Sequence, residues 1–167
     1  MSESGLTDTA REPEWDAWYV EHLRIMLTVP GILSAQRFKV ETPGRPPSLA
    51  IYTVASADVF RDPYYLSVRG MGEWLPLIDR RYYRRNLFEG LDAAPEVTEG
   101  QVLVVADRER PDDSPGIKLA WLKAAGLDRS TPYRGIAVVA RAAAEAVAGS
   151  GAAAIYRPAT TRNLQRR

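Results

Sequence analysis

The sequence predicts an α+β protein, an antiparallel sheet with helices on one face. Three features carry that expectation. Short apolar runs such as "SLAIYTVAS" and "QVLVVADR" have the length and composition of strands. Between them lie segments with helical periodicity or helix-forming composition, such as "EWDAWYVEHL" and "RAAAEAVAG". Strands alternating with helices build a sheet covered by helices.

Residues 1 to 12 are polar and read as a flexible arm. Pro13 suits the first turn of a helix, and Glu14 and Asp16 suit its positive end. The helix runs to about Thr28, where "VPG" stops it and Gly31 frees the chain to turn. "ILSAQRFKVE" and "SLAIYTVAS" follow as strands joined through "TPGRPP", a hairpin. Residues 57 to 79 read as helical, broken near Pro63 and Pro76, and "RRYYRRNLFEG" as a strand. After the loop "LDAAPEVTEG" come the strand "QVLVVADR", the loop "RPDDSPG" and a short amphipathic helix "IKLAWLKAAG". The strand "YRGIAVVA", the alanine helix "RAAAEAVAG", the strand "AAAIYRP" and a basic tail at 161–167 complete the chain. The organisation expected is an arm, a half at 13–90, a half at 91–160 and the tail.

Composition narrows the chemistry. The 167 residues, 46% hydrophobic and 26% charged, are those of an ordinary globular protein. A net charge of +1 gives the whole molecule no strong pull toward nucleic acid or anionic membrane. With no cysteine, disulfides, thiolate metal sites and a cysteine nucleophile are excluded. The single histidine, His22, cannot build a familiar zinc site within one subunit. The start has no apolar core to serve as a signal peptide, and the most apolar stretch is interrupted by Arg141 and Glu145. The expectation is a cytoplasmic protein without metal or cofactor.

Trp15, Trp18, Tyr19 and His22 have the i, i+3, i+4, i+7 spacing of one helix face, which Met26 and Val29 continue. Such a stripe packs as core or lines a cavity beside the sheet. Its polar tips favour a cavity, because leucine and isoleucine make a core without needing partners.

"WDAWYVEHL", then "VPG", "SAQRF", "LAIYTVAS" and "DPYYLSVRG" with Trp74 soon after, resembles the EthD-like branch of the dimeric α/β-barrel superfamily. The resemblance covers residues 14 to about 88. It implies ferredoxin-like units whose sheets pair into a barrel, between two subunits as a homodimer or in tandem within one chain. It also implies pockets between sheet and helices. The chain departs from the family pattern at its start, where "MSESGLTDTA" lacks strand character.

The function expected on this basis is a cofactor-free isomerase, cyclase, lyase or oxygenase acting on a small cyclic, aromatic or polyketide-like substrate. Such chemistry belongs to secondary metabolism or aromatic catabolism. His22 would be general acid or base, near its ordinary pKa of about 6.5. Tyr19 or Tyr65 would donate to a developing oxyanion. Trp15, Trp18 and Trp74 would wall the pocket, and Arg37 would hold a substrate oxygen or pair with Glu21. The alternatives are a non-catalytic small-ligand-binding or assembly protein of the same fold, and a haem binder through His22. "DRRYYRRN", with Arg80, Arg81, Arg84 and Arg85, reads as an anion-binding patch, a nucleic-acid contact or a solvated face. The net charge gives nucleic acid no support.

Overall fold

The computed structural model describes residues 1–112, 117–148 and 153–165. Helix α1 (Glu12–Met26) begins with Pro13 in its first turn and Glu12 and Glu14 at its positive end. Gly31 then turns the chain with φ +86°, and a Cβ there would lie 2.7 Å from a methyl of Val59. Strands β2 (Ile32–Val40) and β3 (Ser48–Val54) form the expected hairpin, with Arg37 opposite Ala50. Helix α2 (Pro63–Val68) lies between 3-10 turns at Ala57–Arg61 and Gly72–Leu77. The Asp62 carboxylate caps it by accepting from the N–H groups of Tyr64 and Tyr65. Strands β4 (Arg84–Glu89), β5 (Gln101–Arg108), β6 (Ala120–Leu127) and β7 (Tyr133–Ala140) follow. Helix α3 (Arg141–Ala148) precedes β8 (Ala154–Pro158) and β9 (Asn163–Leu164), while β1 is Ser2–Ser4.

These strands do not form a sheet with helices on one face. Their order is β3-β1-β4-β6-β7-β5-β8-β2, every pairing is antiparallel, and β2 pairs back onto β3. The result is a closed eight-stranded barrel with β9 added beside β2. The ferredoxin-like α+β fold and the α/β-barrel description are therefore corrected. Strand outweighs helix, and α2 and α3 are short. The two arcs of wall, β2-β3-β1-β4 and β6-β7-β5-β8, share one strand order, and the fourth strand of each pairs with the second of the other. Closure occurs within one chain, so it does not call for a second subunit.

Three local expectations are also corrected. Residues 2–4 are no arm: Ser2 lies between Ala50 and Arg85, joining β3 to β4. Glu3 and Ser4 are buried, Glu3 against Arg134. A polar segment becomes a wall strand because its one charge meets a fixed counter-charge. "IKLAWLKAAG" is no helix either. Its residues from Ala120 onward belong to β6, which pairs with β4 and β7. Leu122 joins the barrel interior while Trp121 packs outside, the two-residue alternation of a strand. Two neighbouring strands outweigh the helix preference of Ala, Leu and Lys. The expected tail includes β9, where Asn163 and Leu164 pair with Ala35 and Ser34. Arg166 and Arg167 and part of the loop expected at 110–116 lie outside the described residues.

The interior is packed rather than hollow. Leu49, Ile51, Leu103, Val105, Leu122 and Ile136 meet there with Phe38 and Tyr156. Val97, from the segment linking β4 to β5, joins them. The buried Gln36 amide fixes that segment: it donates to the carbonyls of Val97 and Thr160 and accepts from the Val97 N–H. One ionic cluster crosses the core. Arg134, fully buried on β7, donates to Glu3 at 2.8 Å and to both oxygens of Asp107 at 2.7 and 2.8 Å. Outside the barrel, α1 covers the β2–β3 face around Ala35 and Ala50. Residues Ile117, Leu119 and Trp121 pack on Val104 and Ala137.

Replacing Arg134 with methionine strands the Glu3 carboxylate in the core, and urea unfolding is expected to show a loss of about 3–5 kcal/mol. Adding Glu3→Met should recover part of it. Gly135 sits opposite Trp121, and a Cβ there would lie 2.8 Å from Leu119 Cδ1 and 3.0 Å from the indole. Gly135→Ala is expected to cost about 1–3 kcal/mol by overpacking, whereas Gly44→Ala, where a Cβ meets nothing within 4 Å, carries only the strain of its positive φ.

Candidate functional site

The aromatic stripe of α1 faces the sheet, as its spacing predicts. Trp15, Tyr19 and His22 are buried there with Leu23 and Met26. Arg37 rises from β2 beneath them, its guanidinium carbon 4.6 Å from the Trp15 ring centre and 4.2 Å from that of Tyr19. It donates to Asp16 at 2.8 Å and to the Ser48 hydroxyl at 3.0 Å. Its partner is thus Asp16; Glu21 pairs instead with Arg24. Trp18 stacks on His22 with ring centres 4.7 Å apart and planes 10° from parallel, and Tyr19 meets the imidazole edge-on. Trp74, on the 3-10 turn at 72–77, is buried in the same cluster beneath the Arg11 guanidinium.

The structure therefore gathers Trp15, Trp18, Tyr19, His22, Arg37 and Trp74, but as packing. His22 is 9% exposed, and its pKa is lowered from 6.5 to about 4 by desolvation. At neutral pH it is an uncharged ring in an aromatic stack.

Tyr65 belongs to the same buried cluster as Trp15, Tyr19 and Trp74 and also borders a cavity. It lines a small apolar cleft outside the barrel wall, between the end of α1, α2 and the sheet. Met26, Ile32, Phe60, Val54, Leu87 and Leu127 form its apolar surface, and Tyr52, Tyr65 and Arg85 supply polar groups. Burial pushes the phenols of Tyr52 and Tyr65 above their ordinary range, so both remain hydrogen-bond donors. The charge of Arg85 and a hydrogen bond from its side chain to the phenol act the other way on Tyr65.

Arg85 is the polar group that the sequence left undistinguished. It belongs to the basic run "DRRYYRRN", whose members have different fates. Arg81 pairs with Asp79 at 2.6 Å, and Arg84 donates to the carbonyls of Arg80 and Tyr83. Arg85 uses its main-chain N–H on Asp128, and among the described residues its guanidinium forms no salt bridge. Its signal was its place in a strand: adjacent residues of β4 face opposite sides of the wall.

A second small cleft lies beneath the linking segment, at the margin of the packed interior. Ile51, Phe88, Leu122 and Ile136 line it, with Asp92 among the lining residues. Met1, Tyr52, Val54 and Leu87 line both clefts. His22, Trp15, Trp18, Trp74 and Arg37 line neither. Among the described residues no group of three His, Asp or Glu side chains is placed to hold a metal ion. No helix is long and apolar enough to cross a membrane, again among the described residues.

Because the folded pKa of His22 lies below its ordinary value, the unfolded chain takes up the proton first on acidification. The stability tied to this group is whole above about pH 6.5 and is lost as pH falls toward 4. Urea unfolding at pH 7, 5.5 and 4.5 should show His22→Gln closing on the wild type as pH falls.

Comparison with protein-family models, with curated proteins and with solved structures returned no match, so the resemblance to the EthD-like branch rests on the residues quoted above alone.

Proposed function

We propose that this chain is a small-ligand-binding barrel whose ligand is an apolar molecule bearing an anionic oxygen, held in the outer cleft. The observation that carries the reading is Arg85, whose guanidinium has no salt bridge among the described residues and is hydrogen-bonded to the Tyr65 phenol, on the rim of a largely apolar cavity. Small-molecule sites are apolar concavities with a few placed polar groups. A guanidinium holds a carboxylate or similar oxygens through a charge-assisted, two-pronged hydrogen bond. The protonated Tyr65 phenol offers a further donor to the same oxygens.

Proton transfer by His22 gains no support from this geometry. The imidazole lines neither cleft, and its low pKa makes it a poor base near neutrality. The same placement gives axial ligation of haem no support. The non-catalytic alternative fits the packing of α1, where Trp15, Trp18, Tyr19 and His22 pack ring on ring and Trp15 and Tyr19 lie against Arg37.

The test uses 8-anilinonaphthalene-1-sulfonate, an apolar anion whose fluorescence rises on leaving water. Arg85→Gln is expected to weaken its binding at least tenfold, and Tyr65→Phe several-fold, through loss of a charged and a neutral hydrogen bond. His22→Gln should leave binding unchanged. Equal binding by wild type and Arg85→Gln overturns the reading.

A further inference from the structure

One leucine beside the outer cleft holds an unfavourable backbone. Leu127, the last residue of β6, has φ +60°. In that left-handed region a Cβ crowds the following carbonyl, so glycine and asparagine are common there and leucine is rare. Leu127 is also 39% exposed. Neither the turn nor the core therefore calls for a leucine at this place.

Hydrogen bonds to β4 impose the conformation. Asn86 pairs with Leu127, Leu87 with Gly126 and Phe88 with Ala124, so Ala125 is an extra residue in β6, a bulge. Past it, the Asp128 N–H donates to the Arg85 carbonyl and its carboxylate accepts from the Arg85 N–H, at 2.8 and 2.7 Å. The Asn86 side chain donates to the Ser130 hydroxyl and accepts from the Ser130 N–H, both at 2.8 Å. Phe88 packs with the barrel interior, so Asn86 shares its face and Arg85 and Leu87 take the other. A regular pleat would turn Leu127 to the face of its partner Asn86. The positive φ breaks that alternation, and Leu127 lines the outer cleft with Arg85 and Leu87. Backbone strain held beside a binding cleft points to a functional constraint.

Resting on the anion-binding reading of this cleft, we propose that Leu127 is its specificity-determining residue. It sets an apolar wall close to the Arg85 guanidinium, and so selects a compact acid whose ring or branched carbons adjoin the carboxylate. The bonds from Asp128 tie the wall and the cation to one short stretch of main chain, which fixes their spacing. The cleft is small, which favours a compact ligand over a long chain. An aryl carboxylate such as benzoate supplies both parts. Acetate supplies the oxygens but little carbon for the wall.

The experiment is a titration of the full chain with benzoate and with acetate, followed by backbone amide NMR, with thermal unfolding of each variant. Benzoate is expected to bind at least tenfold more tightly than acetate, with shifts centred on Arg85, Leu127 and Asp128. Leu127→Ala and Leu127→Gly should each weaken benzoate at least fivefold and leave acetate within twofold. Leu127→Met, which restores an apolar side chain, should keep benzoate within twofold of the wild type. The two truncations lose the same contacts but only alanine keeps the strain, so Leu127→Gly should melt about 2–4 °C above Leu127→Ala. Leu127→Gly, the unstrained truncation, carries the test if Leu127→Ala does not fold.

Benzoate bound by Leu127→Gly as tightly as by the wild type, with Arg85→Gln still weakened, overturns the role of Leu127 and leaves the anion cleft standing. Equal binding of benzoate and acetate to the wild type overturns the apolar wall. Leu127→Gly melting at or below Leu127→Ala overturns the strain on which the inference is built. Binding of both acids untouched by Arg85→Gln, or binding of neither, overturns the anion reading and the role of Leu127 together.

Discussion

The ion pair between Arg134 and Glu3 is the constraint on which the barrel depends. Strand β1 has three residues to span the space between β3 and β4. So short a strand brings little apolar surface, and its hydrogen bonds alone give modest net stabilisation. Its hold on the core is the Glu3 carboxylate, buried and bound by an arginine that also grips Asp107. Burial raises the Glu3 pKa, while Arg134 pulls it back down. Arg134 itself is held strongly protonated by the two carboxylates. Neither charge is comfortable in the core alone. Together they fix β1 between its neighbours, and hence join β3 to β4 in the wall.

A parallel arrangement lies outside the wall. Arg37, almost wholly buried, stands between the rings of Trp15 and Tyr19 and spends hydrogen bonds on Asp16 and Ser48. The aromatic face of α1 thus has a structural reason. Aromatic rings provide apolar burial together with a negative π face, and a buried guanidinium needs both. Leucine and isoleucine would cover the sheet but leave the cation unsupported. The ring faces of Trp15 and Tyr19, rather than their polar tips, support the core arginine, and the buried Trp15 Nε1 has no hydrogen-bond partner.

Local structure was largely legible in the sequence, and closure was not. Pro13, Gly31 and the apolar run of β3 act within a few residues, and the structure places α1, the turn and the hairpin where they imply. Whether strands end as an open sheet or a barrel depends on pairings between distant segments, such as β2 with β8, which periodicity does not encode. β1 was invisible for a related reason: "SES" has no strand preference and is recruited by its neighbours and by Arg134. β6 was misread because Leu, Lys and Ala fit a helix as readily as a strand. Of the candidate site residues, Tyr65 lines a cavity, and Arg85 lay hidden in a basic run whose members composition cannot tell apart.

The exchange of strands between the two arcs has a consequence during synthesis. The first arc, through β4, leaves the ribosome with two bare edges, because β4 awaits β6 and β2 awaits β8. At roughly 5–20 residues per second, these edges stay open for several seconds. The guanidinium of Arg134, which secures the first strand made, is also among the later groups to emerge. The nascent first half thus carries an acidic strand without its counter-ion and two templates for misplaced pairing. Completion of β8 ends that interval, so the last third of the chain acts on the first as an internal chaperone.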